Sequence, residues 1–159
     1  MALPEGKKKK NVPAFSKDET ERIDTYARLL KSVMTRARVT TRRAIASLPV
    51  SHVFHAIVTL PPVPERELEH HVRAKVKKLL PRPIEEMQVL HQVIQQPGNA
   101  DARRDVKVLV TAAPIAMVNF YSAIFSRAGL VLEELETEAF AIERSLVGHD
   151  AATSMVVDI

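Results

Sequence analysis

SHVFHAIVTLPPVPERELEHHVRAKVKKLL, residues 51–80, is the stretch on which the fold turns. Phe54, Ala56, Val58 and Leu60 fall on alternate positions, which is the period of a strand with one buried face. Pro61, Pro62 and Pro64 stop that strand, because proline brings no amide hydrogen to a sheet ladder. Pro64 suits the first turn of a helix, where the missing N–H has no partner to lose. Leu68, Val72, Val76 and Leu79 then recur at three- and four-residue steps and line one helical face. The period thus changes from two to 3.6 across a proline boundary, and the segment predicts a strand followed by a helix.

Toward the C-terminus the same logic continues. Pro81 and Pro83 end the helix, since proline disfavours the α conformation in the residue before it. Val89–Gln95 predicts a strand, Pro97, Gly98 and Asn99 a polar loop, and Val106–Ala112 a second strand, together a hairpin with a long tip. Pro114 opens a helix with Ile115, Val118, Tyr121, Phe125 and Ala128 as its stripe, and Gly129 is placed to end it. Leu130–Leu135 predicts a strand, Ala139–Val147 a helix closed by Gly148, and Met155–Ile159 a terminal apolar strand. From Ser51 to Leu135 the order is βαββαβ, which predicts a split, ferredoxin-like sandwich with both helices on one face.

Toward the N-terminus, residues 1–15 carry Pro4, Gly6, Lys7 to Lys10 and Pro13 without periodicity and read as a flexible basic lead-in. Ser16 followed by Glu19 is a capping-box signature, hydroxyl and carboxylate each satisfying a backbone donor at a helix start. Ile23, Tyr26, Ala27, Leu30, Val33, Met34 and Ala37 then mark an amphipathic helix running to about Arg38. Arg43–Pro49 (RAIASLP) is a short strand ended by proline.

Composition narrows the function. A chain of 159 residues with 46% hydrophobic and 26% charged residues supports one substantial core. The absence of cysteine removes disulfides, thiolate nucleophiles and thiolate zinc sites. No apolar run approaches the roughly 18 residues of a membrane span, so no direct membrane span is expected. His52 and His55 would point to opposite faces of a strand, and the adjacent His70 and His71 lie about 100° apart on a helix. Glu85 and Glu86 are consecutive rather than facing, and no phosphate-loop, dinucleotide or nucleophile-elbow motif is present. These patterns point away from an enzyme. The net charge of +4 raises nucleic acid as a partner. A βαββαβ RNA-binding domain stacks bases on strand aromatics, whereas DVKVLVTA (105–112) has none, so no nucleic acid is expected.

Two longer runs carry a family resemblance. LPPVPERELEHHVRAKVKKLLPRPIEEMQVLHQVI (60–94) resembles the segment of PilM-type pilus assembly proteins in which a strand ends in prolines, an ELE-containing helix follows, and a P-x-P-x-E-E turn leads to the next strand. VTAAPIAMVNFYSAIFSRAGLVLEELETEAFAIERSL (110–146) is similar to that family's second helix, its AGL turn and its E-x-E-A-F-A-x-x-R helix, and MVVDI (155–159) resembles the start of the second phosphate hairpin of actin-like proteins.

The resemblance implies an α/β (α+β) fold: a ferredoxin-like βαββαβ module set into part of an actin-like, ribonuclease H-like lobe, related to the division protein FtsA. On this expectation residues 1–15 are the lead-in, 16–50 and 131–159 part of the first lobe, and 51–130 the inserted module. The family implies a cytoplasmic scaffold, peripheral to the inner membrane, that docks the cytoplasmic tail of a PilN-like protein and links it to the pilus motor ATPases. ATP and Mg²⁺ would belong to a longer protein, itself a weak ATPase at most, with Asp158 at the phosphate-facing position; this chain, lacking a D-I-G strand ahead of Ser16, is expected to hold no cofactor and no metal. A cleft near Ala46, Leu48, Val58 and Leu60 is the candidate for the tail, although their assignment to the core is the stronger reading. The alternative reading from the same resemblance is a subunit of an FtsA-like filament.

Overall fold

A computed structural model describes residues 14–61, 63–94 and 105–146. The chain divides into two units, Ser51–Ile115 and the residues on either side of that span. The class is mixed α/β, with one antiparallel and one parallel sheet.

The inner unit contains strand β2 (Phe54–Leu60), helix α2 (Glu65–Val76) and strands β3 (Met87–Ile94) and β4 (Val106–Pro114). The strands pair antiparallel in the order β2-β4-β3, so β4 is central and its Val108, Val110 and Ala112 have no exposed surface. Leu68, Val72 and Val76 of α2 pack with Val58, Leu60, Val108 and Val110 into one core. Fully burying an aliphatic side chain of this kind is worth roughly 1.5–3 kcal/mol, so this stripe is what seats the helix on the sheet. Leu79, the fourth residue of the expected stripe, lies past the helix end and is 50% exposed. There the Leu79 and Leu80 amides both donate to the Val76 carbonyl, and the chain turns toward Pro81. Pro64 stands one place earlier than expected, at the cap with ψ 142°, rather than inside the first turn.

β2 also begins later than the sequence suggests. Val50–His52 form a short 3₁₀ turn, with the Val50 amide donating to a Glu138 carboxylate oxygen at 3.0 Å. A second 3₁₀ turn, Ile84–Glu86, follows Pro83 and delivers the chain to β3.

The other unit holds α1 (Lys17–Arg36), β1 (Arg43–Leu48), α3 (Ile115–Ala128, grouped with this unit from Ala116), β5 (Val131–Thr137) and α4 (Glu138–Leu146). α1 starts as expected: the Glu19 amide donates to Ser16 Oγ at 3.2 Å and the Ser16 amide to Glu19 Oε2 at 2.9 Å. The Ser16 backbone bond, and then its hydroxyl, hold the Glu19 carboxyl below its ordinary pKa. Both long helices end in the same 6→1 and 5→2 hydrogen-bond motif. After α3, Gly129 at φ +80° donates to Ser126 and Leu130 to Phe125. After α1, Arg38 takes that left-handed place at φ +53°, donating to Thr35, while Val39 donates to Met34.

The strand that a ferredoxin-like module would use as its fourth, β5, pairs elsewhere. It runs parallel to β1, Leu48 opposite Thr137, with a register shift between Ala44 and Ile45. Leu48, Leu132 and Leu135 are buried there, and Arg43 of β1 pairs with Glu133 of β5. α3, which the sequence reading places in the module, makes its side-chain contacts with α1: Phe120 meets Tyr26 edge-on at 6.3 Å between ring centres, and Arg127 reaches Asp24 at 3.1 Å. The module's antiparallel sheet therefore has three strands.

Candidate docking surfaces

Residues opposite each other in an antiparallel pair share a face. By that rule Met87, Val89, His91 and Val93 of β3 lie on the same side of the sheet as Val58, Val108 and Val110, the side covered by α2. The cover is uneven. Val108 is fully buried, yet Val93, directly across from it, is 42% exposed. His91, across from the fully buried Val110, is exposed as well. β3 thus extends beyond the helix that covers its neighbours. Its outer side pairs with no other described strand, and its sequence, MQVLHQVI, contains neither charge nor proline.

The opposite face of the same sheet carries Ile57, which is 63% exposed, beside the half-buried Leu109, with Leu90 and Ile94 on β3. His55 and Thr111 are cross-strand partners here, Nδ1 to Oγ1 at 3.3 Å. The other ring nitrogen, Nε2, is buried and has no hydrogen-bond partner among the described residues. Burial pushes the His55 pKa below its ordinary value, because desolvation penalises the charged ring.

In the other unit, α1 buries Ile23 and Ala27 but leaves Tyr26, Leu29 and Val33 between 47% and 61% exposed. At 100° per residue these three form a sector beside the buried one. The Arg22 guanidinium lies 5.3 Å from the Phe120 ring centre. An open groove on the charged side of α1 is lined by Lys17, Glu21, Asp24, Arg28, Lys31 and Arg127, among others. Tyr121 has its phenol pKa raised, chiefly by burial and then by Tyr26 and Glu138.

The residues singled out from sequence are distributed differently from the expectation. Val58 and Leu60 are core members of the module, 4% and 3% exposed, and Leu48 is 2% exposed in the other unit. Side chains so covered offer no area to a peptide; of the four, Ala46 alone is half-buried. Asp158 lies outside the described residues. His52 sits in the 3₁₀ turn and His55 on β2, while His70 and His71 meet edge-on on α2 at 6.0 Å. Among the described residues no three His, Asp or Glu side chains are grouped to hold a metal, and no helix is long and apolar enough to cross a membrane. What sequence reasoning missed is that β3 leaves His91 and Val93 exposed on the side of the sheet that α2 covers elsewhere. The available signal was eight consecutive uncharged residues ahead of a polar loop.

These elements define an α/β protein with a sheet edge, β3, that pairs with no other described strand and with an exposed apolar sector on α1. The family model described as type IV pilus assembly protein PilM matches residues 10–156, and the chain belongs to that family. Among solved structures it is similar to a chain of a PilM-PilN type IV pilus biogenesis complex, with a TM-score of 0.70 and 25% sequence identity. The match covers 77% of this chain and 36% of the other, so the chain corresponds to about a third of that protein's length.

Proposed function

We propose that this chain is a scaffold element of type IV pilus assembly that performs no chemistry of its own and holds the cytoplasmic tail of a PilN-like inner-membrane protein. The observation that carries the reading is the likeness, over 77% of the chain, to a protein of a complex named for PilM and PilN together. Surfaces suited to tail capture stand beside it. An extended peptide gains main-chain hydrogen bonds at a sheet edge such as that of β3, which pairs with no other described strand, and a helical one seats apolar residues against a sector such as Tyr26, Leu29 and Val33. Leu48, Val58 and Leu60 are buried in the cores of their units, and Ala46 is the member of that set that reaches solvent. On this reading the protein works on the cytoplasmic side of the inner membrane, held there by its partner, and in a longer family member passes that attachment on to the pilus motors.

The test is a titration of the full chain into a labelled synthetic peptide carrying the tail of the cognate PilN-like protein, with a scrambled peptide beside it. Saturable one-to-one binding by the native peptide alone is the expected result. Equal binding by the scrambled peptide, or no saturation up to about 1 mM, an affinity near −4 kcal/mol, overturns the proposal.

A further inference from the structure

We propose that the C-terminal end of α2 and the turn after it form a contact for an anionic bilayer surface. Five cations fall within ten residues there, Arg73, Lys75, Lys77, Lys78 and Arg82, and all five are exposed. Lys77 reaches Glu85 at 3.9 Å, while the other four make no ion pair among the described residues. The acidic residues of the helix, Glu65, Glu67 and Glu69, belong to its first half, and Glu67 meets Arg66 at 3.4 Å. α2 is thus polarised along its length, with unpaired positive charge gathered at one end. The helix dipole favours cations in the last turn, which accounts for Arg73 and Lys75. It does not account for Lys78 and Arg82 beyond that turn, nor for Leu79, which stands among them 50% exposed.

Cations grouped around an exposed leucine fit an anionic bilayer on two counts. Headgroup phosphates take the charge, and the apolar side chain enters the boundary between headgroups and acyl chains. Three of the five cations are lysines, compact charges on flexible stems, which suit a diffuse anionic surface better than the paired geometry by which arginine grips a carboxylate. Nucleic acid is the rival polyanion. Single strands are held largely by stacking on aromatic rings, and from His55 to Asn119 the sequence contains no Phe, Tyr or Trp. The choice of a bilayer rests in part on the reading above, which sets the protein beside the inner membrane, but the contact itself needs no tail peptide. α2 adds a lipid hold to the hold on the partner's tail, and each can be weak alone because the two act together.

The experiment is co-sedimentation of the full chain with vesicles, no tail peptide being present. One set of vesicles is phosphatidylcholine alone, the other phosphatidylcholine and phosphatidylglycerol in equal parts. Binding to the anionic vesicles only, weakened by added salt, is expected. Lys75→Glu together with Lys78→Glu lowers that binding at least about tenfold. Leu79→Ala, which changes no charge, lowers it about threefold. Glutamine in place of Lys7 to Lys10 leaves most of it, which separates α2 from the basic lead-in. Lys75, Lys78 and Leu79 are exposed, and circular dichroism identifies any variant that has lost its fold. Should one do so, Arg73→Gln with Arg82→Gln takes its place and is expected to weaken binding likewise. Equal binding to both kinds of vesicle, binding that the α2 substitutions leave intact, loss on changing the lead-in alone, or tighter binding to a single-stranded RNA would each overturn the inference. None of these results bears on the peptide titration, which contains no lipid; a chain that binds vesicles but no tail peptide upholds the bilayer contact and overturns the docking reading instead.

Discussion

Val72→Ala is the substitution that interrogates the module's core most directly. Val72 has no exposed surface and sits between Leu68 and Val76 in the helix stripe, against Val58, Leu60, Val108 and Val110. Removing two methyl-sized groups forfeits about 1.6 kcal/mol of transfer free energy at about 0.8 kcal/mol each. Incomplete collapse of the surrounding side chains adds a cavity cost and brings the total to between about 2 and 3 kcal/mol. The control is Leu79→Ala. Periodicity puts Leu79 in the same stripe, yet it is 50% exposed beyond the last helical residue. Its truncation deletes more hydrocarbon and is nevertheless expected to cost only about 1 kcal/mol, because half of that surface already faces water and little cavity is left. Urea titration of the full chain followed by circular dichroism provides the comparison, with an unchanged slope licensing the difference in midpoints as a difference in stability. If Leu79→Ala proves as costly as Val72→Ala, the helix continues past Val76 in solution and the packing described for α2 is wrong.

Helix boundaries yield further expectations. Ser16→Ala removes one half of the capping box and should cost about 1 kcal/mol, read as faster amide exchange across the first turns of α1 with little change elsewhere. Arg38 occupies a left-handed conformation at φ +53°, which costs a non-glycine residue about 1–2 kcal/mol. Arg38→Gly returns part of that against a larger unfolded-state entropy, so a net gain of about 0.5 kcal/mol in urea stability is expected; Gly129→Ala, at φ +80°, should shift the midpoint the opposite way. His55 binds a proton less readily in the fold than in the unfolded chain, because its pKa is depressed from the ordinary 6.5. The unfolded state therefore takes up more protons as pH falls, and the stability associated with neutral His55 is present above about 6.5 and declines below it. In His55→Leu that part of the pH dependence should vanish, and a profile identical to wild type would refute the assignment.

Local physics made most of the elements readable. Ser16 and Glu19 announce a helix start whose hydrogen bonds form as drawn, and prolines at 49, 61, 64, 83 and 114 sit at or beside element boundaries. Strand pairing is another matter. The order βαββαβ is shared by many folds, and nothing within VLEELET (131–137) states that it will run parallel to RAIASL (43–48), 88 residues earlier. That choice belongs to long-range packing around Leu48, Leu132 and Leu135, which no short window contains. Periodicity also overran at Leu79, since a stripe records which residues would share a face if the helix continued and is silent about where the helix ends.

The proposed docking surface was the least readable part, for a reason that follows from how sheets recognise polypeptides. Catalytic and metal sites need particular side chains at particular distances, so residue types betray them. A sheet edge recognises through backbone N–H and C=O groups that every non-proline residue possesses, and its signature is what is missing from the side chains: charge, proline and cover. Alternating apolar residues in strands therefore drew attention to Val58 and Leu60, which the fold spends on its own core. β3 shares their alternation but not their cover, and the difference arises only from where α2 lies across the sheet. Val93 stays exposed although Val108, directly across from it, is fully buried, so the position of the helix over the sheet, rather than the strand sequence, decides which residues of β3 remain uncovered.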